Sequence, residues 1–226
     1  MRALIYVPVI HSSADLGSLA KDVADGGIKH LGEEIWQEHR RTVEGFWDVV
    51  SHYFDSIDVR GMKIYQDGMV AEGEVGRKIV QETAGAGSRN YQLVSRILDR
   101  GASLVKTEDF PLVKQELDRL IAITQAKSMT RKIMAFIRYK WVKNTLLNKR
   151  DAYIAGRIDE TLTNPGEGIL FIGAFHRVKK WLPKDIDIRE LKDTDKMRQY
   201  QTLLPFHKKY KKQFDELGKY LVSELT

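Results

Sequence analysis

The sequence predicts one α/β domain, spanning residues 1–226, in which a mainly parallel sheet is packed by long helices. Short apolar segments alternate along the chain with longer segments that repeat apolar residues every three or four positions, as helices do. Strands separated by helices favour a parallel sheet, because each helix returns the chain to the edge where the strand began. A chain of 226 residues can bury one substantial core, and no linker or low-complexity tract divides it.

Five short segments are the predicted strands, because they are rich in β-branched or aromatic residues and end at polar residues or glycine. They cover residues 3–10, 61–65, 102–106, 168–173 and 186–191. The last of them alternates apolar and charged residues, which indicates a strand at the edge of the sheet.

Six longer segments are the predicted helices, because each carries apolar residues on one face. They cover residues 28–54, 74–82, 89–99, 110–124, 128–162 and 206–224. In the first of them the apolar positions form one continuous stripe, made of Val43, Phe46, Trp47, Val50 and Phe54. We therefore expect that helix to pack its stripe against the sheet.

The composition excludes several kinds of protein. The chain has no cysteine, which rules out a disulfide scaffold, a cysteine-ligated zinc, an iron–sulfur cluster and a thiol nucleophile. No apolar run approaches the roughly 20 residues that span a bilayer. The apolar start, residues 1–10, runs into polar residues without a cleavage site, so it is interpreted as the first strand. We expect a cytoplasmic protein without a membrane span.

Charge is distributed unevenly along the chain. Residues 1–100 hold 12 basic and 15 acidic side chains, whereas residues 101–226 hold 25 and 16. Residues 119–150 contain nine Lys and Arg, several aromatic residues and no Asp or Glu. Basic and aromatic residues together can bind single-stranded nucleic acid. We favour the alternative, in which the basic residues form a solvated helix face and the aromatic residues, at helical spacing, belong to the core.

Polar side chains follow four of the predicted strands. His11 comes directly after the first strand, with Asp15 shortly beyond it. Asp67 follows the second strand, Glu108 the third and His176 the fourth. Because ligands of a parallel sheet bind beyond the carboxyl ends of its strands, we expect these imidazoles and carboxylates to gather at one edge.

Two chemistries are open to such a cluster. Imidazoles and carboxylates can hold a divalent metal, here Mn, Co or Zn, that acidifies a bound water. The candidate metal ligands are His11, His176, Asp67 and Glu108. Alternatively, a His–carboxylate pair acts as a general base on water without a metal. Both chemistries predict hydrolysis, whereas the structural alternative is that these side chains only cap strands and helices.

Two arginines lie late in the predicted helix 128–162. Arg150 and Arg157 are seven positions apart, which places them near one helix face. A guanidinium binds carboxylates and phosphates in bidentate fashion, and it also pairs with structural carboxylates. Together with His11 and His176 these arginines are the candidate catalytic residues.

One segment of the C-terminal half has a family pattern. Residues 150–158 read Arg-Asp-Ala-Tyr-Ile-Ala-Gly-Arg-Ile, and an apolar strand then ends in Gly173-Ala-Phe-His176. This arrangement resembles the TraB/GumN/Tiki group, which belongs with the erythromycin-esterase-like (EreA) and ChaN-like proteins. The resemblance is best over residues 148–185, with a weaker match at residues 1–16. Pro8 stands where the family has Gly, and Asp151 stands where Asn is common.

The resemblance implies an α/β fold with paired histidines, acidic residues and arginines in one pocket. Members of the family include metal-dependent proteases, ester hydrolases and a haem-binding branch, and many have no assigned activity. The positions that carry over are His11, His176, Arg150 and Arg157, whereas no acidic residue matches a family motif.

Three functions remain open from the sequence. We expect a hydrolase, metal-assisted, that acts on an ester, amide or phosphoester of a small molecule or peptide. The first alternative is a non-catalytic protein that binds an anionic small ligand, with Asp15, Arg150 and Asp151 among the ligand-binding residues. The second alternative, nucleic-acid binding through residues 119–150, is the least favoured.

Overall fold

The computed structural model of the protein describes residues 1–12, 15, 20–126 and 128–225. It contains one five-stranded sheet, and all its neighbouring strands are parallel. The strands are β1 (Arg2–Val9), β2 (Lys63–Gln66), β3 (Ser103–Val105), β4 (Gly166–Gly173) and β5 (Ile186–Glu190). Their order across the sheet is β3-β2-β4-β1-β5. The predicted α/β fold is therefore confirmed, and β5 is indeed an edge strand.

Helices connect and cover the strands. In the described residues they are α1 (Ala20–Leu31), α2 (Glu33–Ser56), α3 (Gly73–Gly85), α4 (Arg89–Asp99), α5 (Phe110–Thr124), α6 (Met129–Thr161), α7 (Thr194–Leu203) and α8 (Lys211–Leu221). None of these helices is long and apolar enough to cross a bilayer.

Two apolar cores form on opposite faces of the sheet. The side chains of β1 alternate between them, since successive residues of a strand point to opposite faces. Val7 lies in the larger core, together with side chains of α2, α4, α7 and α8. Tyr6 lies in the smaller core with Ile154 and Ile158 of α6. The stripe on α2 packs into the larger core, as its spacing predicts.

Two predicted helices have wrong boundaries, each with a local cause, and one helix was missed. The predicted helix 28–54 is two helices, because Gly32 interrupts it with a φ of +87° that favours glycine. The predicted helix 206–224 begins only at Lys211, after a short 3-10 turn that contains Pro205. Helix α7 was not predicted at all, although Asp193 caps its N-terminus through its side chain.

The register of the sheet places the strand ends at one level. Val9 of β1 is paired with Gly173 of β4, so these two strands end together. On the other side of β4, Gln66 of β2 is paired with Phe171. The backbone N–H of Asp67 continues this ladder by donating to the carbonyl of Phe171 at 2.9 Å. The residues that follow β1, β2 and β4 therefore leave the sheet side by side.

Candidate active site

Two histidines and one aspartate meet beyond the ends of β1, β2 and β4. The Nε2 atom of His11 lies 3.7 Å from Oδ2 of Asp67, and Nε2 of His176 lies 3.6 Å from the same oxygen. His176 and Asp67 are almost fully buried, whereas the side chain of His11 is 37% exposed. The structure thus brings together two rings that are 165 positions apart in the sequence.

A glycine allows the three groups to approach one another. A Cβ atom at Gly173 would lie 3.1 Å from Oδ2 of Asp67, 3.4 Å from Nε2 of His11 and 3.5 Å from Cδ2 of His176. The backbone N–H of Gly173 also donates to Oδ2 of Asp67 at 3.0 Å. The absent side chain of Gly173 therefore leaves the space in which the cluster forms.

Asp151 of α6 orients the ring of His176. Its Oδ1 atom lies 2.5 Å from Nδ1 of His176, and its Oδ2 atom accepts the backbone N–H of Arg177 at 2.8 Å. Because an ionised carboxylate can only accept, Nδ1 carries the proton and Nε2 is left as the acceptor of the neutral ring. The Asp151 side chain is fully buried, so solvent does not compete for this bond.

Arg150 joins three carboxylates behind the cluster. It donates to Oδ1 of Asp67 at 2.8 Å and to Oε2 of Glu108 at 3.0 Å. It also pairs with the second oxygen of Glu108 and with Glu116 of α5. Since its guanidinium is engaged in this way, Arg150 is placed to hold Asp67 in position, which is the structural alternative considered for this residue.

The close packing of opposite charges shifts several pKa values. Burial lowers the pKa of His176, but the charge of Asp67 and the hydrogen bond to Asp151 outweigh it, so the pKa is raised. Burial also lowers the pKa of His11, and the adjacent Asp67 raises it by more. Burial raises the pKa of Asp67, but His176, His11 and Arg150 together hold it well below its usual value. Asp67 is therefore an anion at neutral pH.

The cluster opens into a cavity of about 480 Å³. His11, Asp67 and His176 line it together with Tyr139 and Lys143 of α6. Its volume lies within the range of small-molecule sites. The imidazoles of His11 and His176 can therefore meet a ligand of that size.

The other predicted site residues have different positions. Asp15 lines the cavity, but its carboxylate accepts from Ser12 and from Ser88. Glu108 is fully buried, and both of its carboxylate oxygens contact Arg150. Arg157 does not line the cavity, since it donates to the carbonyl of Lys106 and to Glu160.

The sequence did not single out two members of the site. Gly173 was noted only as the end of a strand, although its lack of a side chain makes room for both imidazoles. Glu116 lies in the middle of α5, and its contact with Arg150 joins residues 34 positions apart. Neither residue carries a local sequence signal, because their roles arise only from packing.

The fit of a divalent metal to these residues is partial. Two ligands of one tetrahedral zinc, each about 2.0–2.1 Å from the metal, stand about 3.3 Å apart. The 3.6 and 3.7 Å between Asp67 and the two imidazoles are slightly wider. Within the described ranges, no group of three or more His, Asp or Glu side chains is arranged to hold a metal. The oxygens of Glu108 face Arg150, so Glu108 does not fit as a ligand.

Comparisons with protein-family models, curated proteins and solved structures show no match to this chain. The resemblance to the TraB/GumN/Tiki group therefore stays a prediction, and any proposed function has to rest on the geometry of the site.

Proposed function

We propose that this protein is a hydrolase in which His176, oriented by Asp151, acts as the general base. The observation that carries the proposal is the bond between Asp151 and Nδ1 of His176 beside a cavity that also contains His11. A buried carboxylate behind an imidazole is the arrangement by which enzymes fix the tautomer of a catalytic base. The substrate classes it would serve are esters, amides and phosphoesters.

The chemistry follows from the position of each side chain. Nε2 of His176 takes a proton from water, and the water oxygen attacks the carbonyl carbon or phosphorus of the substrate. Asp151 stabilises the imidazolium that forms, because it accepts from Nδ1 throughout. In its protonated form, which the adjacent Asp67 favours, the ring of His11 is placed to stabilise the developing oxyanion and to protonate the leaving group. Asp67 lies between the two rings and interacts with both.

The test is a set of matched histidine variants. The purified protein is assayed against p-nitrophenyl acetate, an amino-acid p-nitroanilide and p-nitrophenyl phosphate. We expect His176→Gln and His11→Gln each to lower kcat/KM at least about 100-fold on the substrate class that turns over. His30→Gln is the control, because His30 is exposed on α1. Unchanged turnover in both site variants would refute the proposal, and circular dichroism checks that each variant is folded.

A metal-assisted form of the same reaction is the second candidate. The observation that favours it is that His11 and His176 both direct Nε2 toward the same Asp67 oxygen. These three residues are not arranged around a metal in this structure. A closer approach of their Nε2 and Oδ2 atoms would let them hold the ion, which would lower the pKa of a bound water. Asp151 would then orient His176 as an outer partner of the metal ligand.

Metal titration separates the two candidates. Chelator-treated protein is titrated calorimetrically with Mn²⁺, Co²⁺ or Zn²⁺, and turnover is measured in parallel. The metal-assisted form predicts one bound ion that is lost in His11→Gln and retained in His30→Gln. Full turnover of the chelator-treated protein, with no bound ion, favours the general-base form. Binding of an anionic ligand without turnover of any substrate would favour the non-catalytic alternative.

A further inference from the structure

A second cavity adjoins the candidate active site. Its volume is about 420 Å³, and His11 lines both this cavity and the one that contains His176. The other groups on its walls include the rings of Trp36 and His39 and the side chains of Arg40 and Arg89. A molecule that fills the second cavity therefore lies directly beside His11.

The two aromatic rings on the wall of this cavity, Trp36 and His39, continue a series of rings that runs into the core. The ring of Trp36 lies 5.7 Å from that of His39, which in turn lies 5.8 Å from Tyr200, measured between centroids. Tyr200 stacks on Phe214 at 4.8 Å with only 12° between the planes. Tyr200, Phe214 and His39 are buried, so the series runs from the cavity into the core and is fixed there.

Two further contacts hold the wall in place. The hydroxyl of Tyr200 lies 3.1 Å from Nδ1 of His39. A Cβ atom at Gly27 would lie within 2.4 Å of the Trp36 ring, so that ring packs closely on the backbone of α1.

Burial lowers the pKa of His39 to about 4, so this imidazole is neutral at physiological pH. The wall is thus an uncharged aromatic surface.

Two arginines on the remaining lining supply guanidinium groups. Arg40 and Arg89 both line the cavity, whereas Glu44 is the carboxylate among the lining residues. Arg40 and Glu44 are 3.9 Å apart and about half exposed, so water screens their attraction. The carboxylate partner of Arg89 is Asp48, 3.1 Å away, and both side chains are about half exposed. Because water screens both ion pairs, the two guanidinium groups can exchange these carboxylates for an anionic group in the cavity.

We infer that this second cavity binds a planar aromatic group that carries a negative charge. The Trp36 and His39 rings offer it an aromatic face, and Arg40 and Arg89 offer it guanidinium groups. If the cavity is a subsite for the acyl or leaving part of a substrate, the inference rests on the proposed hydrolase. The substrate class would then be an ester or amide whose acyl or leaving part is aromatic and also carries a separate, free acidic group. The binding of the aromatic anion itself does not depend on that proposal.

The experiment measures binding, so it does not depend on turnover. The full chain is titrated calorimetrically with 2-naphthoate, cyclohexanecarboxylate and 2-naphthylmethanol. We expect 2-naphthoate to bind at least about fivefold more tightly than either comparison compound, because only it has both an aromatic ring and a negative charge. Equal affinities for the three compounds, or no binding of 2-naphthoate, would overturn the inference.

Variants identify the cavity as the place of binding. Trp36→Leu should abolish the preference for naphthoate over cyclohexanecarboxylate, and Trp36→Phe should keep it. Arg89→Gln should abolish the preference for naphthoate over naphthylmethanol. Trp181→Leu is the control, because Trp181 is 51% exposed and lines neither cavity. An equal loss in the Trp181 and Trp36 variants would contradict the assignment.

The two proposals can fail separately. His176→Gln removes the general base but leaves the second cavity intact, so it should still bind 2-naphthoate. If 2-naphthoate binds through Trp36 while no substrate is hydrolysed, the hydrolase proposal fails and the binding site holds. If substrates are hydrolysed but naphthoate binds no more tightly than cyclohexanecarboxylate, the aromatic subsite fails and the hydrolase holds.

Discussion

Asp67 accepts the backbone N–H of Gly173 at 3.0 Å, which ties the end of β2 to the end of β4. The same Oδ2 atom lies within 4 Å of the imidazoles of both His11 and His176. One carboxylate oxygen therefore links the sheet to the two proposed catalytic histidines, and any change that moves it should disturb both.

Gly173→Ala should damage the site more than the fold. The new methyl group would lie 3.1 Å from Oδ2 of Asp67 and 3.4 Å from Nε2 of His11, so these groups must move apart. We expect kcat/KM to fall about 10-fold, less than the roughly 100-fold that a misplacement of about 1 Å causes, because these groups need to move by only a few tenths of an ångström. Overpacking should lower the free energy of unfolding by about 1–3 kcal/mol.

The control for that variant is Gly156→Ala. Gly156 lies in α6 with no atom near its added Cβ, so alanine there should leave activity unchanged and not lower stability. Steady-state kinetics and urea unfolding measure both quantities. Wild-type kcat/KM in Gly173→Ala would mean that the space at Gly173 does not matter for catalysis.

Asp151→Asn should change the tautomer of His176. An amide nitrogen facing Nδ1 of His176 would favour the tautomer with its proton on Nε2, so the ring could no longer accept a proton from water. We expect kcat to fall about 10³- to 10⁴-fold with little change in KM. An NMR spectrum of the ring nitrogens shows which one is protonated. An unchanged kcat would contradict the role of His176 as the base.

Arg150→Met should strongly destabilise the fold. It leaves Asp67, Glu108 and Glu116 without their shared cation, and the first two are almost fully buried. Breaking a buried ion pair by removing one partner costs about 3–5 kcal/mol. Urea unfolding followed by circular dichroism measures this loss.

Arg157→Met is the comparison, since the carboxylates near Arg157 are more than half exposed. Its loss should cost about 1 kcal/mol or less. If Arg150→Met and Arg157→Met lower the free energy of unfolding equally, the loss in Arg150→Met does not come from leaving buried carboxylates without their cation.

The stability of the protein should depend on pH through the imidazoles. The folded-state pKa of His11 and of His176 is raised above 6.5. Their contribution to the free energy of unfolding is therefore full below pH 6.5 and is lost as the pH rises through the raised folded values. The pKa of Asp67 is depressed below 3.8, so its contribution is present above that value and is lost as the pH falls through the folded pKa.

Urea unfolding of the chelator-treated protein across the pH range tests this dependence. We expect stability to decline on the alkaline side of about pH 6.5. His176→Gln should reduce the decline, whereas His30→Gln should leave it as in the wild type because His30 is exposed. A flat profile in the wild type would mean that neither imidazole is stabilised in its protonated form.

Much of the fold was predictable because it depends on local patterns. The apolar stripe on α2 and the continuous apolar segment of β4 are patterns that can be recognised without knowing which other elements they pack against. One error, the joining of α1 and α2 into a single predicted helix, lies where one residue decides the boundary. Gly32 ends α1 and starts α2 through its positive φ, which a continuous helical pattern does not reveal.

The polar residues that follow the strands can be read from the chain alone, since His11, Asp67 and His176 come after apolar segments. A parallel sheet brings the carboxyl ends of its strands to one edge, so this order along the chain already places them on the same side. Their partners, in contrast, depend on the folded arrangement. Asp151 binds His176, and Arg150 holds Asp67, because the packing of α6 places these side chains there. Contacts of this kind depend on side-chain direction and distance across elements, which no spacing in the sequence encodes.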